Sequence, residues 1–230
     1  MNFIIQGILD GLGLIIRFDA EVYLIIWTSL KVSLLAVTSA SIVGIPLGVL
    51  IALKNFVFKR TLILTLNTAM AFPTVVLGLM FYAFLSRKGP LGEYGLLFTP
   101  FGMELGLFFL ATPIVVNLTL SAVQALDPRL FVTCRTLGAN AWQEFCQILR
   151  EGRFAITAAA ALAFGRVISE VGVAMMLGGN IKGFTRTMTT AIALETSKGE
   201  FELGMALGIA LLVVALLVNL ALYSLQKHSS

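Results

Sequence analysis

Two ionisable residues sit where an apolar run should carry none. Arg166 and Glu170 interrupt the stretch 154–177, which is otherwise long and apolar enough to cross a bilayer. They are four residues apart, so a helix puts them on one face within reach of each other. Charges at that depth are costly and face a bundle interior or a water path rather than lipid. The spacing supports two roles: a charge pair beside a path or gate, or a structural ion pair that sets helix packing. Just beyond, Asn180, Thr185, Arg186, Thr187, Thr189 and Thr190 form a polar segment flanked by Gly178, Gly179 and Gly183. Its hydroxyls, amide and guanidinium are hydrogen-bond donors of the kind an anion needs. A polar re-entrant loop that only packs would have the same composition.

Other chemistry is poorly supplied. The single histidine, His228, lies in the tail, so no Ser/His/Asp or Cys/His constellation can be assembled. Cys134 and Cys146 form no CxxC pair and read as two free thiols. No metal site is expected. No GxxxxGK[ST] phosphate loop occurs; GGNIKGFT places Lys182 and Thr185 differently. The chain is therefore expected to bind neither ATP nor another cofactor.

These residues must be positioned by elements that suit a membrane. Of 230 residues, 58% are hydrophobic and 12% charged. A water-soluble core could not hide that much apolar surface. The net charge of +4 is spread along the chain and makes no nucleic-acid face. Apolar runs predict five spans at about 23–53, 61–86, 104–126, 154–178 and 202–226. Pro46, Pro73 and Pro113 fall inside spans and predict kinks. Gly44/Gly48, Gly102/Gly106 and Gly204/Gly208 have the spacing that lets helix backbones approach. Residues 1–20 predict an amphipathic interfacial helix, with Asn2, Gln6, Asp10 and Arg17 on one face and Ile4, Ile8, Leu12 and Ile15 on the other. No basic n-region or small-residue cleavage site precedes it. Five spans place the two termini on opposite sides. The slightly larger share of Lys and Arg puts residues 127–153 in the cytoplasm. No internal repeat divides the chain into two halves, against an inverted-repeat transporter within one chain.

That cytoplasmic segment, DPRLFVTCRTLGANAWQEFCQILREGRF, is too polar to cross a membrane and too apolar for a solvated linker. Asp127-Pro128 reads as a helix cap followed by proline at the first helical position. Asn140 and Gln143 have capping-box spacing. The segment therefore predicts two short amphipathic helices joined at Gly138. Their apolar face would dock into a groove on another protein or lie on the lipid surface.

The run Arg135, Thr136, Leu137, Gly138, Ala139, followed by Trp142, Phe145 and Ile148, resembles the cytoplasmic EAA loop of binding-protein-dependent ABC importer permeases. It departs from that loop at Thr133-Cys134, where an acidic residue and alanine are usual. It departs again at Leu149-Arg150-Glu151, where Leu-Pro is usual. Phe164 to Gly172 and GGNIKGFTRTMTTAIALETSKGEF are similar to permeases for molybdate, sulfate and tungstate. With AFPTVVLGLMFYAFLSRKGPLG at 71–92, the wording is most similar to the tungstate branch.

The resemblance covers about residues 22–226 and implies an all-α integral membrane protein with the type I ABC importer permease fold. It implies a multi-pass subunit of a prokaryotic cytoplasmic membrane that imports an oxyanion. Its partners would be a second copy of the chain, lipid, an extracytoplasmic anion-binding protein and an ABC ATPase that binds the ATP. The loop would dock on that ATPase through Arg135, Thr136, Leu137, Gly138, Ala139, Trp142 and Phe145. Arg166, Glu170, Asn180, Thr185, Arg186 and Thr187 would line a path or gate. Two other readings use the same residues. One is an ATP-independent anion channel or transporter with Arg166 and Glu170 as its charge relay. The other is a membrane scaffold whose loop recruits a soluble enzyme. Molybdate and sulfate stand beside tungstate as cargo.

Overall fold

The structure, a computed structural model, describes the backbone of residues 2–227 and the side chains of residues 7–227 other than those of 135, 222, 223 and 225–227. The expected faces at Asn2, Ile4 and Gln6, the Arg135 side chain and His228 lie outside the described residues. Among the described residues every regular element is a helix: α1 Asn2–Ile16, α2 Ala20–Leu53, α3 Lys59–Met70, α4 Thr74–Leu85, a short 3-10 helix Gly92–Tyr94, α5 Pro100–Gln124, α6 Pro128–Thr136, α7 Ala141–Glu151, α8 Arg153–Ile168, α9 Gly172–Gly178, α10 Met188–Lys198 and α11 Phe201–Lys227.

Three helices, α2, α5 and α11, are each long and apolar enough to cross a membrane alone. Two bent pairs complete the set. α3 and α4 meet at 98°, and α8 and α9 at 62°, so the described helices hold up to five spans. Pro73 explains the first bend. It has no N–H to give and pushes Phe72 out of the helical region, and α4 restarts at Thr74. The kinks expected at Pro46 and Pro113 do not end their helices, since α2 and α5 run through both prolines.

α2 and α5 pack side by side and form the spine of the bundle. Asp19 caps α2 by accepting hydrogen bonds from the Glu21 and Val22 N–H groups at 3.0 and 3.1 Å. Gly44 and Gly48 lie against Val115, Val116 and Thr119 of α5. A β-carbon at Gly48 would stand 2.7 Å from the Val116 carbonyl oxygen. Gly106 receives Leu177 and Val173 of α9 in the same way, at 2.3 and 2.7 Å from its virtual β-carbon. Gly208, by contrast, has nothing within 4 Å. The main core gathers Val32, Ala36, Leu107, Val115, Phe164 and Leu177 between α2, α5, α8 and α9.

α1 is too short to cross a membrane by itself. It packs along α11, where Gly11 sits against the Ala206 backbone at 2.8 Å from its virtual β-carbon. Leu14 and Ile15 join the core, while Leu9, Leu12 and Ile16 are exposed. α11 keeps Leu212, Leu216 and Leu217 on its surface, a face for lipid or another chain.

Gly48→Val should overpack the α2–α5 contact and destabilise the fold by about 1–3 kcal/mol. A thermal melt in detergent should show a clear drop in Tm, whereas Gly208→Ala should leave it within error. Equal Tm values for wild type and Gly48→Val would contradict the close approach.

Candidate functional site

The break between α8 and α9 contains no proline, and side chains make it. Ser169 turns its hydroxyl back onto the Gly165 and Arg166 carbonyls at 2.9 and 3.1 Å. Glu170 then accepts from both directions. Its Oε2 takes a hydrogen bond from Arg166 Nη1 at 2.7 Å, and its Oε1 takes one from the Val173 N–H at 3.2 Å, in the first turn of α9. The Glu170 carbonyl, which lies in the break itself, accepts from Thr189 Oγ1 at 2.7 Å. The Glu170 side chain is 3% exposed while that of Arg166 is 42% exposed. The pair thus has a buried acid and a base that reaches the protein surface. A β-carbon at Gly172 would stand 3.2 Å from Glu170 Oε1 and 3.2 Å from the Val75 backbone nitrogen. The α8–α9 break therefore rests against the start of α4, immediately after the α3–α4 break.

The polar segment at 180–190 is consumed largely by the fold. Thr185 is fully buried, accepts from the Ile181 N–H at 3.1 Å and donates to the Gly178 carbonyl. Thr187 caps α10 in a reciprocal box with Thr190. Asn180 holds a left-handed backbone (φ 50°) and donates to the Thr190 carbonyl at 3.3 Å. Arg186, 11% exposed, lies between Glu21 at 3.5 Å and Glu195 at 3.6 Å. Lys182 continues the row onto Glu21 at 2.6 Å, and Lys198 onto Glu195 at 3.2 Å. In this conformation the threonine hydroxyls and the Arg186 guanidinium face protein groups rather than an open mouth. Their geometry ties the start of α2 to the 181–186 turn and to α10. Ser29 adds to that tie, accepting from the Met188 N–H at 2.7 Å.

At the far end of α2 and α5, α6 and α7 form a helix–turn–helix. Asp127 accepts from the Arg129 N–H at 2.8 Å at the start of α6. Gly138 makes the turn with φ 73°, a left-handed conformation that glycine adopts without steric cost. The Asn140–Gln143 capping box then opens α7. The apolar stripe is split in two. Phe131, Phe145, Ile148 and Leu149 pack against Val49, Leu53 and Val123 at the ends of α2 and α5. Leu137 and Trp142 point away, 81% and 70% exposed. Thr136 is exposed and Ala139 half-buried.

With this geometry in view, the likenesses to known proteins are specific. Binding-protein-dependent transport system inner membrane components match the chain over residues 44–230. The chain belongs to that family. It is 40% identical over 227 residues to the tungstate uptake system permease protein TupB of Campylobacter jejuni, covering 99% of this chain and 95% of that one. It is 38% identical to TupB of Peptoclostridium acidaminophilum over 99% of this chain and all of the other. The molybdenum transport system permease ModB of Escherichia coli is 30% identical over 83% of this chain and 89% of its own length. The fold matches a chain of the inward-facing MetNI methionine ABC transporter, with TM-score 0.77 at 15% identity over 93% of this chain and 98% of that one. A bacterial alginate ABC transporter, in complex with an alginate pentasaccharide-bound periplasmic protein, matches with TM-score 0.66 at 18% identity over 90% of this chain and 78% of that one.

As an inner-membrane transport component, the chain is a multi-pass membrane protein with the type I ABC importer permease fold. The sequence pattern singled out Arg166 and Glu170, and the structure joins them. It missed Glu21, Glu195 and Ser29, whose positions become meaningful only when distant elements meet. Thr189→Val should leave the Glu170 carbonyl without its donor and lower stability by about 1–3 kcal/mol. A fluorescence melt should show the loss, and Thr157→Val, on an exposed face, should not. An unchanged melt for Thr189→Val would mean that the break does not need this tie.

Proposed function

We propose that two copies of this chain form the membrane part of an ATP-driven importer of an oxyanion, with tungstate as the cargo. The observation that carries this reading is the 40% identity to a tungstate uptake permease, which extends over 99% of the chain. The chain supplies the path. A separate ABC ATPase binds and hydrolyses ATP, and an extracytoplasmic binding protein delivers the anion.

In this reading the ATPase docks on α6 and α7. Phe145 and Ile148 anchor the helix–turn–helix to the ends of α2 and α5, so a push on α7 is transmitted to the bundle. Leu137 and Trp142 supply the exposed apolar contacts for the cleft on the ATPase, with Thr136 and Ala139 beside them in the chain. ATP binding closes the ATPase pair, moves the docked helices and switches the bundle between inward and outward access. Arg166, held by Glu170 yet open to the surface, presents one positive charge beside the breaks. One partly neutralised charge attracts a dianion without holding it, which a transport path requires. Asn180, Thr185, Arg186 and Thr187 act behind the path, as the frame of its outer end. Molybdate is the second reading for the cargo, favoured by the 30% identity to ModB.

The test is co-purification of the tagged chain in mild detergent from its native host, followed by uptake into vesicles. Wild type should retain an ATPase and drive tungstate uptake that molybdate and sulfate inhibit less well than tungstate itself. Gly138→Pro should insert normally but lose the ATPase, because proline cannot adopt φ 73°. Recovery of the wild-type chain alone, with ATP-independent anion flux, would support a channel instead. Stronger inhibition by molybdate would reassign the cargo.

A further inference from the structure

One polar feature at membrane depth has no part in the site described above. Asn117 of α5 donates through Nδ2 to Asn67 Oδ1 of α3 and lies 3.1 Å from Met70 Sδ. Neither amide is buried. Asn67 lies eight residues into α3 from Lys59, about 12 Å along the helix. Asn117 lies seven residues from the end of α5 at Gln124, about 10 Å along it. Both positions fall within the apolar thickness of a bilayer. Amides there cannot face lipid, where nothing replaces their lost hydrogen bonds with water.

The pair is not isolated. Asn117, Ser121 and Gln124 recur at i, i+4 and i+7, so they share one face of α5, and the last two are exposed. The other end of this row meets the breaks. Met70 is the last residue of α3, and Val75, five residues on, touches Gly172 beside Glu170 and its surface-reaching partner Arg166. A polar row thus runs from the two helix breaks to the end of α5 that carries α6. A contact between two copies would need only a point of polar glue; a row over two helical turns matches the wall of a water-filled passage.

We propose that Asn67, Asn117, Ser121 and Gln124 form the inner half of the translocation path, a series of neutral donors along which a tetrahedral dianionic oxyanion passes after Arg166. The proposal rests on the import reading for the identity of the cargo but not for the location of the passage. Neutral amides and hydroxyls suit the task, because they replace part of the anion's hydration without the grip of a second positive charge.

The experiment uses the assembled transporter in lipid vesicles, with Cys134→Ser and Cys146→Ser as background. Single cysteines replace Asn67 or Ser121, and Leu216 on the exposed face of α11 as control. Each is exposed to the membrane-impermeant anion sulfonatoethyl methanethiosulfonate. Labelling does not require transport, so it separates the passage from the cargo. Asn67→Cys and Ser121→Cys should react at least about tenfold faster than Leu216→Cys, since thiols react as hydrated thiolates. Millimolar tungstate should slow both. Rates as low as the Leu216→Cys control would overturn the passage. Fast labelling that tungstate, molybdate and sulfate all fail to slow would overturn the oxyanion assignment. Asn67→Asp, which adds a like charge to the wall, should cut uptake of the dianion by about tenfold or more. Wild-type uptake with unchanged Asn67→Asp uptake would count against the donor role alone.

Discussion

Glu170 is a carboxylate almost wholly removed from solvent, and a charge in that position must be met from within the protein. Three partners meet it or its backbone: Arg166 from the turn before, the Val173 N–H from the helix after, and Thr189 from a distant helix. The break between α8 and α9 exists because these groups satisfy what the interrupted helix leaves open. The α3–α4 break lies against it through Val75 and Gly172, so two discontinuities share one support. The capped start of α10, the Ser29 tie to α2 and the Arg186 row extend that support outward. Removing the acid would leave an exposed arginine, an uncapped α9 and a loosened seat for α4.

Much of this arrangement was readable from residue order, because its causes are local. The bilayer dictates runs of about 20 apolar residues, and those runs were visible. Gly138, Pro128 and the Asn140–Gln143 pair act through their own backbones, so the helix–turn–helix could be inferred. Arg166 and Glu170 stood out because charge in an apolar run is conspicuous. Other features depend on meetings between distant segments. Pro73 signalled a disturbance but not a 98° bend, since the angle depends on what α4 packs against. Pro46 and Pro113 have the same chemistry and leave their helices unbroken. The threonines at 185–190 supported two readings from sequence, donors for an anion or a polar loop that only packs. In this conformation they cap and brace, the hydroxyls meeting carbonyls and N–H groups of the 178–190 segment and of Glu170. Phe145 was read with the docking face; it is half-buried, packing on the ends of α2 and α5 while stacking on the exposed Trp142.

The same structure gives the chain separate rigid and responsive parts. Glycine contacts lock α2 to α5 and α5 to α9, where backbones approach too closely for any side chain. α6 and α7 ride on the end of that unit and expose Leu137 and Trp142 beyond it. A force applied there would act on the spine rather than on a loop. The helix breaks lie along the same spine, flanked by the polar side chains that a passing anion would meet. In the import reading proposed above, energy input and passage would both fall on this one packed unit.

The most direct measurement of the central interaction is a double-mutant cycle on Arg166→Gln and Glu170→Gln, read as thermal stability of the purified protein. If the buried acid and its arginine support the break together, the effects will be coupled by about 1 kcal/mol or more, as expected of a charge-assisted hydrogen bond. Additive effects within about 0.5 kcal/mol would mean that the two residues act independently. The break between α8 and α9 would then have to be held by something other than this pair.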